Sequence, residues 1–136
     1  VVIGGVVAYL FSIQAEVESS GGGPAHGSAA FEQALTQARE NGKPIMVMFT
    51  ASWCGPCQHM KNKVFPSPAV SAERAKWNWV LLDADSKSNQ KLMREYNVRG
   101  LPTFVLLSPT GKRLTSFSGG RSPQDFAAML RRHSGS

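Results

Sequence analysis

The 136-residue sequence predicts an α/β domain: a central mixed β-sheet with helices on both faces, a three-layer sandwich. Three observations lead there. Apolar runs of strand length alternate with stretches of helical periodicity, two strand patterns close to each other read as a hairpin, and an amphipathic helix closes the chain. A strand–helix–strand succession calls for parallel pairing and a hairpin for antiparallel pairing, so one sheet must contain both. Hydrophobic residues make up 42% of the chain, enough for one domain with an ordinary core. Nothing in the sequence repeats.

Residues 1–13 are nearly all apolar and uncharged. Alone they are too short to cross a bilayer, which takes ~20 apolar residues. They read as the C-terminal part of a transmembrane or signal anchor; a signal-peptide remnant and an apolar helix docked on a partner or on this domain are the alternatives. Residues 14–28, centred on Ser19-Ser20-Gly21-Gly22-Gly23-Pro24, have the composition of a flexible tether, in which His26 reads as solvated. The folded domain is expected over residues 29–133, with 134–136 as a tail.

Over residues 29–41, Phe31, Leu35 and Ala38 share one helical face, and Asn41-Gly42 stops the helix. Residues 44–50 are apolar on both faces, as a buried central strand requires. A helix carrying Met60 and Val64 inward follows, then a short one near 69–75. Residues 79–84 read as a second buried strand, with Trp77 and Trp79 packing on one face. Residues 89–96 present Leu92, Met93 and Tyr96 at helical spacing. Strands at 103–107 and 113–117 flank the turn residues Ser108-Pro109-Thr110-Gly111-Lys112, and 123–132 form a helix with Phe126, Met129 and Leu130 inward.

The chemistry is concentrated in Trp53-Cys54-Gly55-Pro56-Cys57, which holds both cysteines of the chain. Cys54 sits where the central strand hands over to a helix. Unpaired N–H groups and the positive end of the helix dipole there favour a thiolate and lower the thiol pKa. Pro56 suits the first turn, where its missing N–H costs nothing. Cys54, the more exposed sulfur, is therefore the candidate nucleophile, and Cys57, one turn deeper, the candidate resolving thiol. Lys61 and Lys63 read as a solvated face. A closed zinc site would need four ligands, and of the histidines only His59 lies near the pair, so no metal is expected. A purely structural disulfide closing so short a loop would restrict the unfolded chain little.

These residues resemble the thioredoxin family, which has the same Trp-Cys-Gly-Pro-Cys sequence. Gly100-Leu101-Pro102-Thr103 is similar to its cis-proline turn, and Gly119-Gly120 falls where the family has a groove glycine. The resemblance covers residues 29–133. It implies a thioredoxin-like sandwich with Trp53, Gly55, Pro56 and a cis Pro102 supporting the cysteines, and Leu101, Thr103 and Gly119 lining a substrate groove. It also implies thiol–disulfide oxidoreductase activity without a cofactor. Residues 64–70 look more like the thioredoxin-like domains of exported or membrane-bound disulfide-interchange proteins. One departure stands out: the family's buried aspartate, six residues before the first cysteine, is Met48 here. Asp83 and Asp85 lie on or after another strand and offer no evident substitute.

The formal charge of +6 comes from scattered residues without an aromatic-interleaved basic platform, which argues against nucleic-acid binding. The expected function is a membrane-tethered reductase of protein disulfides in an extracytoplasmic compartment: periplasm, organellar lumen or intermembrane space. Its partners would be disulfide-containing clients and a thiol electron donor, such as a transmembrane thiol carrier. Net oxidation or isomerisation would follow instead if the partner's redox poise dictated it. The alternative from another class is an accessory subunit of a membrane complex that retains the fold with vestigial exchange.

Overall fold

The computed structural model describes residues 28–135; the expected anchor and nearly all of the expected tether lie outside them. Helix α1 (Ser28–Asn41) leads to strand β1 (Ile45–Thr50), then to helix α2 (Gly55–His59), which runs straight into a π-helical turn (Met60–Val64). Helix α3 (Pro68–Arg74), strand β2 (Asn78–Asp83), a 3-10 turn (Lys87–Asn89) and helix α4 (Gln90–Glu95) follow. Strands β3 (Thr103–Leu107) and β4 (Arg113–Ser118) and helix α5 (Pro123–His133) complete the order.

The sheet order is β2-β1-β3-β4, with β1 parallel to β2 and antiparallel to β3, and β3 antiparallel to β4. Every residue of β1 is buried, as the unbroken apolar run Ile45–Phe49 demands of a strand covered on both faces. β2 departs from the sequence reading. It is an edge strand whose burial alternates, because only one neighbour and one well-covered face confront it.

Strand alternation divides the core into two layers. Met46, Met48, Phe104 and Leu106 face the π turn, α3 and α5 through Met60, Val64, Val70, Phe126 and Leu130. Ile45, Val47, Phe49, Val105 and Leu107 face α1 and α4 through Phe31, Ala34, Ala38 and Leu92. Trp77 and Trp79 pack into the first layer, as their spacing suggests, although Trp77 precedes the strand. Met129 is only half-buried, and Ala127 takes the inward position.

Phe126 is the hub of the first layer. Its ring lies 5.0 Å from that of Phe104, 5.5 Å from Phe65, 6.3 Å from Phe117 and 6.4 Å from Trp79. Phe126→Ala is expected to cost about 3–5 kcal/mol, the range for emptying an aromatic site in a close-packed core; the midpoint of a denaturant titration measures it.

In the other layer Tyr96 packs between Phe31 and Phe49. Burial first, and then the neighbouring Glu95 carboxylate, push its phenol above the usual 10.0, with Arg113 opposing. The folded chain thus holds the proton more tightly than the unfolded chain. This contribution to stability is fully present below pH 10.0 and is lost as pH rises through the folded value. Tyr96→Phe should flatten that alkaline loss in thermal melts recorded above pH 9.

Candidate active site

β1 delivers the chain to the redox pair. At its end the Cys54 amide donates to the Ala51 carbonyl at 3.2 Å, turning the backbone so that Cys54 becomes the N-cap of α2. The Cys57 amide then donates to the Cys54 sulfur at 3.2 Å, and the Gln58 amide to the Cys54 carbonyl at 3.1 Å. Pro56 occupies the first turn, where it has no amide to satisfy. The Gln58 side chain ties back to the Ala51 carbonyl at 3.2 Å, bracing the turn from the helix side.

Cys54 and Cys57 are joined as a disulfide with their Cα atoms 5.3 Å apart. Both are buried, Cys54 at 3% exposure and Cys57 at 0%. The expected order of accessibility is present, but in the disulfide form the outer sulfur is far from freely exposed. The amide that meets Cys54 Sγ is a donor placed to favour a thiolate once the disulfide opens.

Downstream, α2 passes into the π turn, where the Phe65 amide bonds to the Met60 carbonyl at 2.8 Å. Sequence periodicity predicts one continuous helix here; the wider turn keeps Met60 and Val64 inward, with Lys63 exposed and Lys61 half-buried. Pro66 then ends the run, and Ser67 caps α3 by accepting from the Val70 amide.

The Leu101–Pro102 peptide is cis. The Pro102 carbonyl accepts from the Gly119 amide at 2.8 Å, which brings the expected cis proline and the expected groove glycine together. Gly119 has φ +89°, a conformation that a residue with a Cβ adopts only under strain. Leu101 is half-buried. Thr103 is buried, its hydroxyl bonded to the Gly100 carbonyl at 2.6 Å and to Ser118 Oγ at 2.9 Å, so its side chain braces the turn rather than opening into a groove.

Trp53 is 68% exposed, and its indole N–H donates to Asp85 Oδ2 at 2.8 Å. The sequence gives Asp85 no role because it follows another strand; parallel pairing of β1 with β2 brings the ends of both strands to the same edge. It does not replace the absent aspartate, since its carboxylate is at the surface and engaged by the indole. Met48 is fully buried in the same cluster as Cys54 and Cys57, and its strand partners are Leu81 on β2 and Phe104 on β3.

His59 is exposed, and His133 Nδ1 lies 3.0 Å from the Met129 carbonyl. His133 lines a concavity with Pro44, Ser108 and Leu114 at the opposite end of the sheet. Among the described residues no group of three or more His, Cys, Asp or Glu could hold a metal ion, and no helix is long and apolar enough to cross a membrane.

Fold and site define the class: a thioredoxin-fold thiol–disulfide oxidoreductase domain with its cysteine pair at a helix start. The chain belongs to the thioredoxin-like domain family, whose model matches residues 31–134. It is 38% identical over 84 residues to a thioredoxin H-type of Oryza sativa subsp. indica, covering 60% of this chain and 63% of that protein. Over 102 residues it is 31% identical to the thiol:disulfide interchange protein DsbD of Campylobacter jejuni, covering 74% of this chain but only 18% of that protein. The solution structure of a thioredoxin from Thermus thermophilus superposes with a TM-score of 0.68 at 32% identity, covering 75% of this chain and 82% of that one.

The apolar Met48 position yields a prediction. Met48→Asp is expected to speed release of a partner from the mixed disulfide across pH 6–9, followed by stopped flow; unchanged rates would remove Met48 as a limit on exchange. Desolvation would raise that carboxyl above its unfolded value of ~3.9. The variant should therefore lose stability relative to the parent as pH climbs from about 4 towards the folded value.

Proposed function

We propose that this chain is the catalytic thioredoxin-like domain of a membrane-tethered reductase of protein disulfides. The observation that carries the reading is the Cys54–Cys57 disulfide at the start of α2, with the Cys57 amide on Cys54 Sγ. In the reduced form the Cys54 thiolate attacks one sulfur of a client disulfide. A bond forms between Cys54 and that sulfur, the client's S–S bond breaks, and its other sulfur leaves as a thiolate and takes up a proton. Cys57 then loses its proton and attacks Cys54 Sγ. The intramolecular disulfide forms and the second client sulfur departs. The client gains two electrons and two protons, and a donor thiol returns the domain to the dithiol.

Gly55 and Pro56 shape the turn between the sulfurs. Trp53 and cis Pro102 flank them, while Leu101 and Gly119 frame the place where an extended client segment would lie, with the Thr103 side chain bracing the turn behind it. Assignment to an extracytoplasmic face of a membrane draws support from the apolar residues 1–13 and from the likeness to an interchange protein of which this chain spans a small part.

A second reading, an accessory subunit with vestigial exchange, draws on the apolar Met48–Leu81 pair beside the cysteines. Insulin reduction in dithiothreitol separates the two, since an accessory module would not accelerate precipitation. On the reductase reading Cys57→Ser accumulates mixed disulfides on Cys54, visible as thiol-sensitive adducts on non-reducing gels, and Cys54→Ser/Cys57→Ser forms none. Absence of adducts with Cys57→Ser would remove the assignment of nucleophile and resolving thiol.

A further inference from the structure

Arg121 is a residue that neither the cysteine chemistry nor the core uses. It follows Gly119 and Gly120, and its amide donates to Met60 Sδ at 3.4 Å, which fixes it against the active-site helix. Its Nη1 donates to the carbonyls of Ser118 at 3.2 Å, Gly119 at 3.4 Å and Gly120 at 3.0 Å, and its guanidinium carbon lies 4.8 Å from the centre of the Phe117 ring. One nitrogen and one face of the group are thus committed. Nε and Nη2 have no partner among the described residues, where the only ion pairs are those of Glu73 with Lys76 and Arg131.

A guanidinium held this way presents its remaining edge as a two-donor fork, the geometry that matches a carboxylate. The long side chain is already ordered by the loop carbonyls and the ring, so binding there loses little side-chain freedom. The location is specific, because the Gly119 amide is bonded to the cis Pro102 carbonyl and Arg121 therefore stands at the rim of that pairing. Lys61 and Lys63, on the turn that starts at Met60, are cations without acidic partners among the described residues. Asp85, bonded to the neutral Trp53 indole, keeps its negative charge. Lys61, Lys63 and Arg121 therefore outnumber that carboxylate among these residues, a balance that favours an acidic partner.

We infer that Arg121 is a carboxylate-recognition point at the edge of the Gly119–Pro102 pairing, so that proteins exchanging with Cys54 carry an acidic side chain close to their reacting cysteine. This rests on the exchange reading above. It adds partner chemistry: an extended segment whose acidic residue pairs with the Nε/Nη2 edge, with Lys61 and Lys63 aiding approach.

The test uses two fluorogenic disulfide peptides, identical except for Glu or Gln beside the cysteine, with the full chain kept reduced by dithiothreitol. The expected result is a kcat/KM about tenfold higher for the Glu peptide at low salt, as a charge-assisted pair supports, shrinking as salt rises. Arg121→Gln should bring the Glu/Gln ratio to about one, and Arg121→Lys, a point charge without the fork, to an intermediate value. Equal kcat/KM for the two peptides in the parent protein overturns the inference without recourse to any variant. A ratio preserved in Arg121→Gln also overturns it and leaves Arg121 only its loop-bracing role. Failure of the parent to reduce either peptide sinks the exchange reading instead, so the two outcomes are distinguishable.

Discussion

The contact on which the site depends is the hydrogen bond from the Cys57 amide to Cys54 Sγ at 3.2 Å. It makes a sulfur the N-cap of α2 and leaves a backbone donor where negative charge must develop if the disulfide opens. Its position follows from β1. Because that strand is sealed on both faces and held between β2 and β3, its end cannot drift, and the turn from Ala51 to Cys54 inherits its rigidity. The two core layers thus position the sulfurs as well as stabilise the sheet, since Met46 and Met48 pack in one cluster with Cys54 and Cys57.

A mixed sheet suits this arrangement. Parallel pairing with β2 brings Asp83 level with Thr50, so that Asp85 lies within reach of Trp53 just beyond the strand ends. Antiparallel pairing sets Phe49 opposite Thr103 and Thr103 opposite Ser118, bringing the cis-proline turn and the Gly119 loop to the same end. Four separate segments converge there although they are far apart in sequence. The disulfide's surroundings are therefore a product of strand register.

Much of this was legible in the residues. The uninterrupted run Ile45–Phe49 identifies a buried strand, Cys-Gly-Pro-Cys places both thiols at a helix start, and the spacing of Phe126 and Leu130 marks the inward face of α5. The features that escaped depend on pairing or on small departures from periodicity. β2 reads as buried because Trp79 to Leu82 are all apolar, whereas its edge position leaves Trp79 and Leu81 half-buried. The π turn at Met60 shifts hydrogen bonding by one residue without altering the apolar pattern that signals a helix. Asp85 and Arg121 carry no local signal at all. Only the fold shows that one meets the Trp53 indole and the other Met60 Sδ.

The chemistry available to the inner thiol follows from what the sheet puts beside it. β1 carries a single polar side chain, Thr50, whose buried Oγ1 has no hydrogen-bond partner. A hydroxyl can relay a proton but is too weak a base at neutral pH to keep one. Met48 and Leu81, paired across β1 and β2, supply no carboxylate or amine. On the proposed exchange mechanism Cys57 carries a proton only after the disulfide has opened, and with no base on β1 that proton would leave to water or to a group that the partner brings. Proton transfer and partner docking would then be coupled events at one edge of the domain. On that reading an apolar strand beneath the sulfurs would shift part of the catalytic burden from the fold to the partner proposed to bind beside Arg121 and Gly119.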